Sequence, residues 1–457
     1  MKSKLLFILF SILLPFKTSA YYDTTTIDGI KYGYNTEGSN ATVMSITCGG
    51  IVEIPTTIKT NGKEYNVTRI YYQAAANNSG LIAIKMPNTI IEIGYQAFAG
   101  CTNLSALELP DIVKLDGATF WGCSSLKSIA LHSGVVFDTG TYSGADFARC
   151  TGLKSATVDC EVIPNQLFDG CTSLEIIELN NKIKTIGKSA FKDCGIKSIV
   201  LPIEIETIDY ELFSGCKNLS AIEIPSGVTS INMWAFRDCS SLTSVIIPDN
   251  VRRIGMDAFN GCSSLTSVTL GKGLNDINNN AFKGCNLKTV IFHCSSIDSW
   301  FQSSETIKEV IMGKEVRTVC EAAFYGCKEL NSITMQENVD SIGKQAFMLC
   351  TSLESIYIPD NVSYIGNYAF SNCTALASIN IPRHMSRIEN NTFSWCKGLT
   401  TVVIPENIIS IGSHAFEYCT GLTSFTIPSS VERLGDCFLF ECTLGVFRQD
   451  IITMKDQ

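Results

Sequence analysis

The sequence predicts a solenoid, a chain wound into about seventeen stacked coils of ~23 residues, mainly parallel β with short helical or 3₁₀ turns. Three observations predict it. The 23-residue stretch Cys239–Gly261 (C-S-S-L-T-S-V-I-I-P-D-N-V-R-R-I-G-M-D-A-F-N-G) begins again at Cys262. Phenylalanine recurs at nearly that period from Phe98, through Phe236, Phe259, Phe347 and Phe370, to Phe438. Cysteine recurs three residues after it, and fourteen of the twenty cysteines stand there, Cys239, Cys262, Cys350 and Cys373 among them. Such self-similarity marks repeats that cannot bury an inner face alone and must share one continuous core.

Within one coil each element has its own cause. Leu242, Val245 and Ile247 fall at strand spacing with their side chains inward, while Ser244 and Ile246 point out. Pro248 ends that strand because it has no N–H to donate, and Asp249-Asn250 supply turn chemistry. Val251 and Ile254 make a second, shorter inward pair; Gly255 turns the chain; Ala258-Phe259 to Cys262 reads as a helical or 3₁₀ turn that closes the coil.

The succession L-x-S-I-x-I-P, V-x-x-I-G, A-F-x-x-C closely resembles the BspA-like leucine-rich repeats of surface and secreted proteins of Bacteroides-type bacteria and some mucosal protozoa. The resemblance spans residues 67–442. It implies a leucine-rich-repeat solenoid, and it implies no single function.

Along the chain, residues 1–20 read as a signal peptide: Lys2 and Lys4, then the apolar run Leu5–Pro15, then Thr18-Ser19-Ala20 as a cleavage site. The run is too short for a membrane span, and no cysteine follows the cut to carry a lipid. Residues 21–66 alternate apolar positions around Asn-Gly and Asp-Gly pairs, the pattern of a small β-rich N-terminal cap over the first coil. The first coil is atypical, with Ala75 in the ring slot and Asn78 in the cysteine slot; residues 443–457 form a tail without a further repeat. Phe120 to Phe147 is 27 residues, so a loop projects within Ser133–Asp146. Phe282 to Phe301 is only 19, with Ser304 in place of cysteine, which makes that coil the weakest.

Charge and chemistry exclude more than they select. With 35 basic against 44 acidic residues, before a leader carrying three lysines is removed, the chain lacks the basic face that nucleic acid requires. Same-slot cysteines sit about 4.8 Å apart with parallel side chains. That spacing allows a disulfide only with local distortion, so a ladder of mostly free, buried thiols is expected. No closely spaced cysteine pair offers a zinc site. His132, His293, His384 and His414 are scattered, and Glu108, Glu178 and Glu223 come one per coil, so no catalytic residue, cofactor or metal is expected.

Two outward rows line the strand face. One is nearly all Ser, Thr or Ala, Ser244, Ser332, Ser355, Ser378 and Ser424 among them; the other mixes Val200, Ile246, Ile291, Tyr357 and Val403 with polar residues. Such a surface suits broad contact with an extended partner, and it also meets the bare requirement of strand packing. A second candidate is the pair of positions between ring and cysteine. These are small or charged in most early coils, Trp121 excepted, and turn apolar toward the C-terminus: Tyr325, Met348, Leu349, Trp395, Tyr418 and, beside Leu439, Phe440, with Ser371-Asn372 breaking the run. An apolar stripe there would bind a partner or mediate self-association. The expected protein is an exported, secreted or surface recognition module. The resemblance implies adhesion to host or matrix proteins, an envelope assembly component is the alternative, and a subunit of a glycan enzyme is the remaining one.

Overall fold

The alternation in Ser244–Ile247 folds as a strand whose residues run exposed, buried, exposed, buried. In the computed structural model, which describes residues 23–138, 144–278, 280–443 and 446–449, it pairs in parallel with Ser267–Leu270, Ser244 opposite Ser267 and Ile247 opposite Leu270. Thr289–Phe292, Glu309–Met312 and Ser332–Thr334 continue the ladder, one strand per coil. A slip of one residue would turn every apolar side chain outward, so burial pins the register. The strand stops before Pro248, whose carbonyl accepts from Val251 N at 3.1 Å. A second ladder of two-residue strands stacks Ile208, Ile231, Ile254 and Ile277 inward. The chain is a leucine-rich-repeat β-solenoid of about 17 turns, and it divides into two compact units, residues 1–152 and 153–457. The expected leader (1–20), the tip of the long loop (139–143) and most of the tail (444–445 and 450–457) lie outside the described residues.

In the first unit, β1 (Asp23–Ile27), β2 (Ile30–Tyr34) and β3 (Asn40–Ile46) form an antiparallel meander. β4 (Gly50–Glu53) lies in parallel on the first long strand, Leu81–Lys85. β5 (Thr57–Thr60) makes a hairpin with β6 (Lys63–Ile70) around Asn61-Gly62. β6 also pairs in parallel with β3 and with Glu92–Ile93, so one strand joins the hairpins to the coil stack. Tyr32 and Tyr65 are buried inside these N-terminal strands. Asn78, in the cysteine slot, donates its amide to the carbonyls of Ile46 and Cys48 at 3.2 and 2.8 Å.

In the second unit the rings of Phe191, Phe213, Phe236, Phe259 and Phe282 stack face to face, with centroids 5.1–5.6 Å apart. The ladder resumes from Phe324 to Phe416. The short coil is where it changes. Phe282 still stacks on Phe301 at 5.6 Å, but between Phe301 and Phe324 the ring of Phe292 stands edge-on to both, 5.9 Å from each at 83°. Phe292 comes from the strand side and fills the space a short coil leaves open, a T-shaped arrangement that aromatic quadrupoles favour. Phe425 stands edge-on to Phe416 in the same way at the last coil, 5.2 Å away.

Two expectations need correction. The closing segment is not a helical turn, and among the described residues the only regular helix is the 3₁₀ turn Ser299–Phe301. In the coil of Phe259 the amides alternate: Ala258, Asn260 and Cys262 bond back within the turn, while Phe259 and Gly261 donate to Ala281 O and Lys283 O of the next coil at 2.8 and 2.9 Å. A helix spends every interior N–H on itself and would leave none for the neighbour. The alternation requires left-handed residues two before and two after the ring, Asp257 (φ 52°) and Gly261 (φ 78°) here. Gly255 serves a different need from the turn ascribed to it: a Cβ there would lie 2.6 Å from Met233 N of the preceding coil. The second correction concerns the last coil. Phe416 N donates to Phe438 O, Tyr418 N to Phe440 O and Cys442 Sγ to Phe416 O. Phe438 therefore takes the alanine slot and Leu439 the ring slot, which leaves Phe440 and Glu441 between ring and cysteine.

No disulfide joins Cys239, Cys262, Cys350 or Cys373 to a neighbour, and most of the cysteines are buried. The ladder thiols Cys239, Cys262, Cys350 and Cys373 donate to the carbonyls of Phe213, Phe236, Phe324 and Phe347, one coil back, at 3.1–3.2 Å. Burial pushes the thiol of Cys216 and that of Cys327 up to about 12, which keeps the proton each donates. Native protein treated with a maleimide should therefore show one rapidly labelled thiol, the exposed Cys437, against twenty after denaturation, and Cys437→Ser should remove the fast phase. Phe292→Ala should cost about 3–5 kcal/mol in urea unfolding, as a buried ring whose neighbours cannot close the gap.

Candidate partner-binding surfaces

Stacking of the coils lines the outward side chains of the second unit into rows, carried by a strand ladder that breaks after Ile176–Leu179, Ser332–Thr334 and Thr401–Val403. Ser244, Ser332, Ser355, Ser378 and Ser424 are exposed, and beside them Val200, Ile246, Tyr357 and Val403 are 82%, 68%, 59% and 80% exposed. Ile291 and Ile311, opposite one another in register, are half-buried. Near the C-terminal end this face holds a shallow recess lined by Thr401, Val403, Glu406, Ser424, Thr426 and Pro428. β-Branched residues exposed to this degree contribute little to the core, and their hydration is relieved only by a partner. Glu178 and Glu223 stand exposed and singly on the same row, and Glu108 does so in the first unit.

The residues between ring and cysteine fall into two rows with different environments. Tyr325, Met348 and Phe440 hold the first position; Leu349, Trp395 and Tyr418 hold the second. Trp395 and Tyr418 stack with centroids 4.1 Å apart at 28°, Phe440 meets Tyr418 edge-on at 5.7 Å, and Lys397 sits 5.0 Å over the Trp395 ring. Trp395 and Phe440 are exposed, while Tyr325, Met348, Leu349 and Tyr418 are half-buried. The six do not form one unbroken stripe. Ser371 and Ser394, buried in the first position, hydrogen-bond each other at 2.8 Å between Met348 and Phe440.

One property of the second position is invisible to composition. It is left-handed in every coil that holds Leu349 (φ 66°), Trp395 (φ 64°) or Tyr418 (φ 57°), where earlier coils place Gly170, Gly215 and Gly261. Bulky residues resist that conformation, at a cost on the order of 1–3 kcal/mol each, and the closing turn imposes it on other coils as well, at Arg149, Asp193, Asp238 and Asn372. Lys397 over Trp395 was likewise not legible; a basic residue two positions after an aromatic is the signal that would have found it. The histidines do not converge: His293 hydrogen-bonds Glu315 at 3.3 Å, and His414 Nδ1 lies 3.3 Å from Glu417 without a hydrogen bond. Among the described residues no group of three or more His, Cys, Asp or Glu is placed to hold a metal ion, and no helix is long and apolar enough to cross a membrane.

Fold and surface together define a repeat protein that presents extended faces in place of a pocket. The model of the BspA type leucine rich repeat region matches residues 56–162, 141–247, 185–308, 229–352 and 317–445, and the chain belongs to that family. Repeats of this type are a protein-interaction fold and not typically enzymatic. A leucine-rich repeat protein from Bacteroides ovatus is 28% identical, with 93% of this chain and 99% of that one covered at a TM-score of 0.57. A leucine rich cell surface protein from Faecalibacterium prausnitzii is 21% identical over 94% and 96% of the two chains, at a TM-score of 0.28. The pneumococcal vaccine antigen PcpA is 20% identical over 85% and 93%, at a TM-score of 0.38. No match was found among the curated proteins.

At Trp395 two effects oppose: an asparagine relieves left-handed strain but loses the Tyr418 stack, worth about 0.5–1.5 kcal/mol. Trp395→Asn should therefore destabilise by less than about 1 kcal/mol in chemical denaturation, so that any loss of binding in this variant reports the surface and not the fold.

Proposed function

We propose that the chain is exported by a leader at residues 1–20 and acts at the cell surface, or in the medium, as a non-enzymatic protein-recognition module. The strand face of the second unit meets an extended host or matrix protein, and the Trp395–Tyr418–Phe440 cluster adds a second contact to a partner or to another copy of the chain. The observation that carries this reading is the exposed aliphatic row beside a serine row. It offers a flat surface whose side chains lose little entropy on contact, with hydroxyls and backbone of fixed spacing for hydrogen bonds. Family membership supports it, since repeats of this type are characteristic of surface proteins. The reading includes no cofactor, metal or nucleic-acid partner.

The test is solid-phase binding of chain 21–457 to a panel of extracellular-matrix proteins. Binding with a dissociation constant in the micromolar range or below is expected. Val200→Asp, Ile246→Asp and Val403→Asp, combined, should weaken it at least about tenfold with circular dichroism unchanged. Binding indifferent to this face, or no binding to any matrix protein, would overturn the adhesive reading and favour an assembly role in the envelope.

A further inference from the structure

Asp146 is an acid where the fold asks for a small apolar residue. It stands one position before the ring of Phe147, a slot filled by Ala97, Ala235, Ala258 and Ala281 in other coils, and it is wholly buried. Its Oδ1 accepts from Thr119 Oγ1 at 2.8 Å and from Thr119 N at 3.3 Å, while its Oδ2 is buried without a hydrogen-bond partner. An ionised carboxylate presents two oxygens that both demand donors, and a buried charge short of donors is far more costly than the neutral acid.

The charged neighbours do not supply the missing donor. Asp116, on the preceding coil, has the same sign and opposes ionisation. Lys114 beside it is held by Asp116 and Asp138 at 2.8 and 2.9 Å. Arg149, on the same turn as Asp146, lies 5.4 Å over the ring of Trp121. In the following coil the slot holds Leu167. Burial, only partly offset by the Thr119 bonds and by the backbone N–H of Gly117, pushes the Asp146 carboxyl from its ordinary 3.8 up to about 7.

The backbone around this acid carries the stack. Ala118 N donates to Gly144 O, Phe120 N to Asp146 O and Gly122 N to Ala148 O, each at 2.8 Å. We propose that Asp146 makes the pairing of the turn Gly117–Cys123 with the turn Gly144–Cys150 a pH-dependent latch, shut while the carboxyl keeps its proton and loosened, with Arg149 released from Trp121, when that proton passes to solvent. The sign follows from the raised value. The stabilisation is complete below the ordinary carboxyl range and is lost as pH rises through about 7. Local opening therefore grows by up to roughly tenfold per pH unit between about 4 and 7 and is level above that.

Hydrogen exchange of the whole chain, read by mass spectrometry from pH 4.5 to 8.5 and corrected for intrinsic rates, tests this. Peptides covering residues 116–124 and 144–150 should lose protection at up to roughly tenfold per unit and then plateau, while peptides over the Phe236 and Phe259 turns should not. Asp146→Asn, and Asp146→Ala with the residue most coils carry, should make the profile flat. A flat profile in the unsubstituted chain, or a slope that survives either substitution, would overturn the proposal.

Discussion

Everything in this molecule hangs on one carbonyl per coil. In most coils the carbonyl of the ring phenylalanine accepts from the amide of its own cysteine and from the thiol of the cysteine one coil further on, Phe282 being an exception because Ser304 follows it; Phe259 O receives Cys262 N and Cys285 Sγ, both at 3.1 Å. A buried carbonyl has two lone pairs, and leaving one unmet is a standing penalty. Cysteine is the small apolar residue that can also donate, which is why it holds this slot where alanine would fill the space equally well. The ring and the thiol are therefore one device: the ring supplies apolar area, and the thiol satisfies the polar group behind it.

The same device explains how far the fold can be read from residue types. The period, the inward Val245, Ile247 and Ile254 and the outward Ser244 and Ile246 follow from alternation alone, because a two-faced strand has only one register that works. The closing turn reads as helical because Ala-Phe-x-x-Cys has helical spacing. What decides it is the neighbour's need for amides, and that need belongs to the stack and to no single coil. Phe438 departs from its expected place for a related reason. Counting by ring type puts it in the ladder, whereas the thiol of Cys442 sets the register and gives that place to Leu439.

The candidate surfaces divide along the same line. The strand-face rows are legible because pleating maps sequence parity directly onto exposure. The aromatic stripe is legible as composition, but not as geometry. The break at Ser371 is also plain in the sequence; only the structure shows that Leu349, Trp395 and Tyr418 sit at left-handed positions, and that Ser371 bonds inward to Ser394. Asp146 does not stand out along its own coil, because the alanine slot draws attention only where a residue fails to fit it. Reading each slot down the whole stack, and not each coil along its length, exposes the acid at once.

The alternating amides of the turn carry a consequence for how such a chain comes to be built. Phe259 N and Gly261 N reach forward to carbonyls that do not exist in place until the succeeding repeat has wrapped. Each finished coil is thus a template with two open sockets aimed at the segment that ribosomes deliver next. Assembly can run like a zip from its first tooth, with contacts that are never more than one repeat distant in sequence and no wait for the far end of the polypeptide.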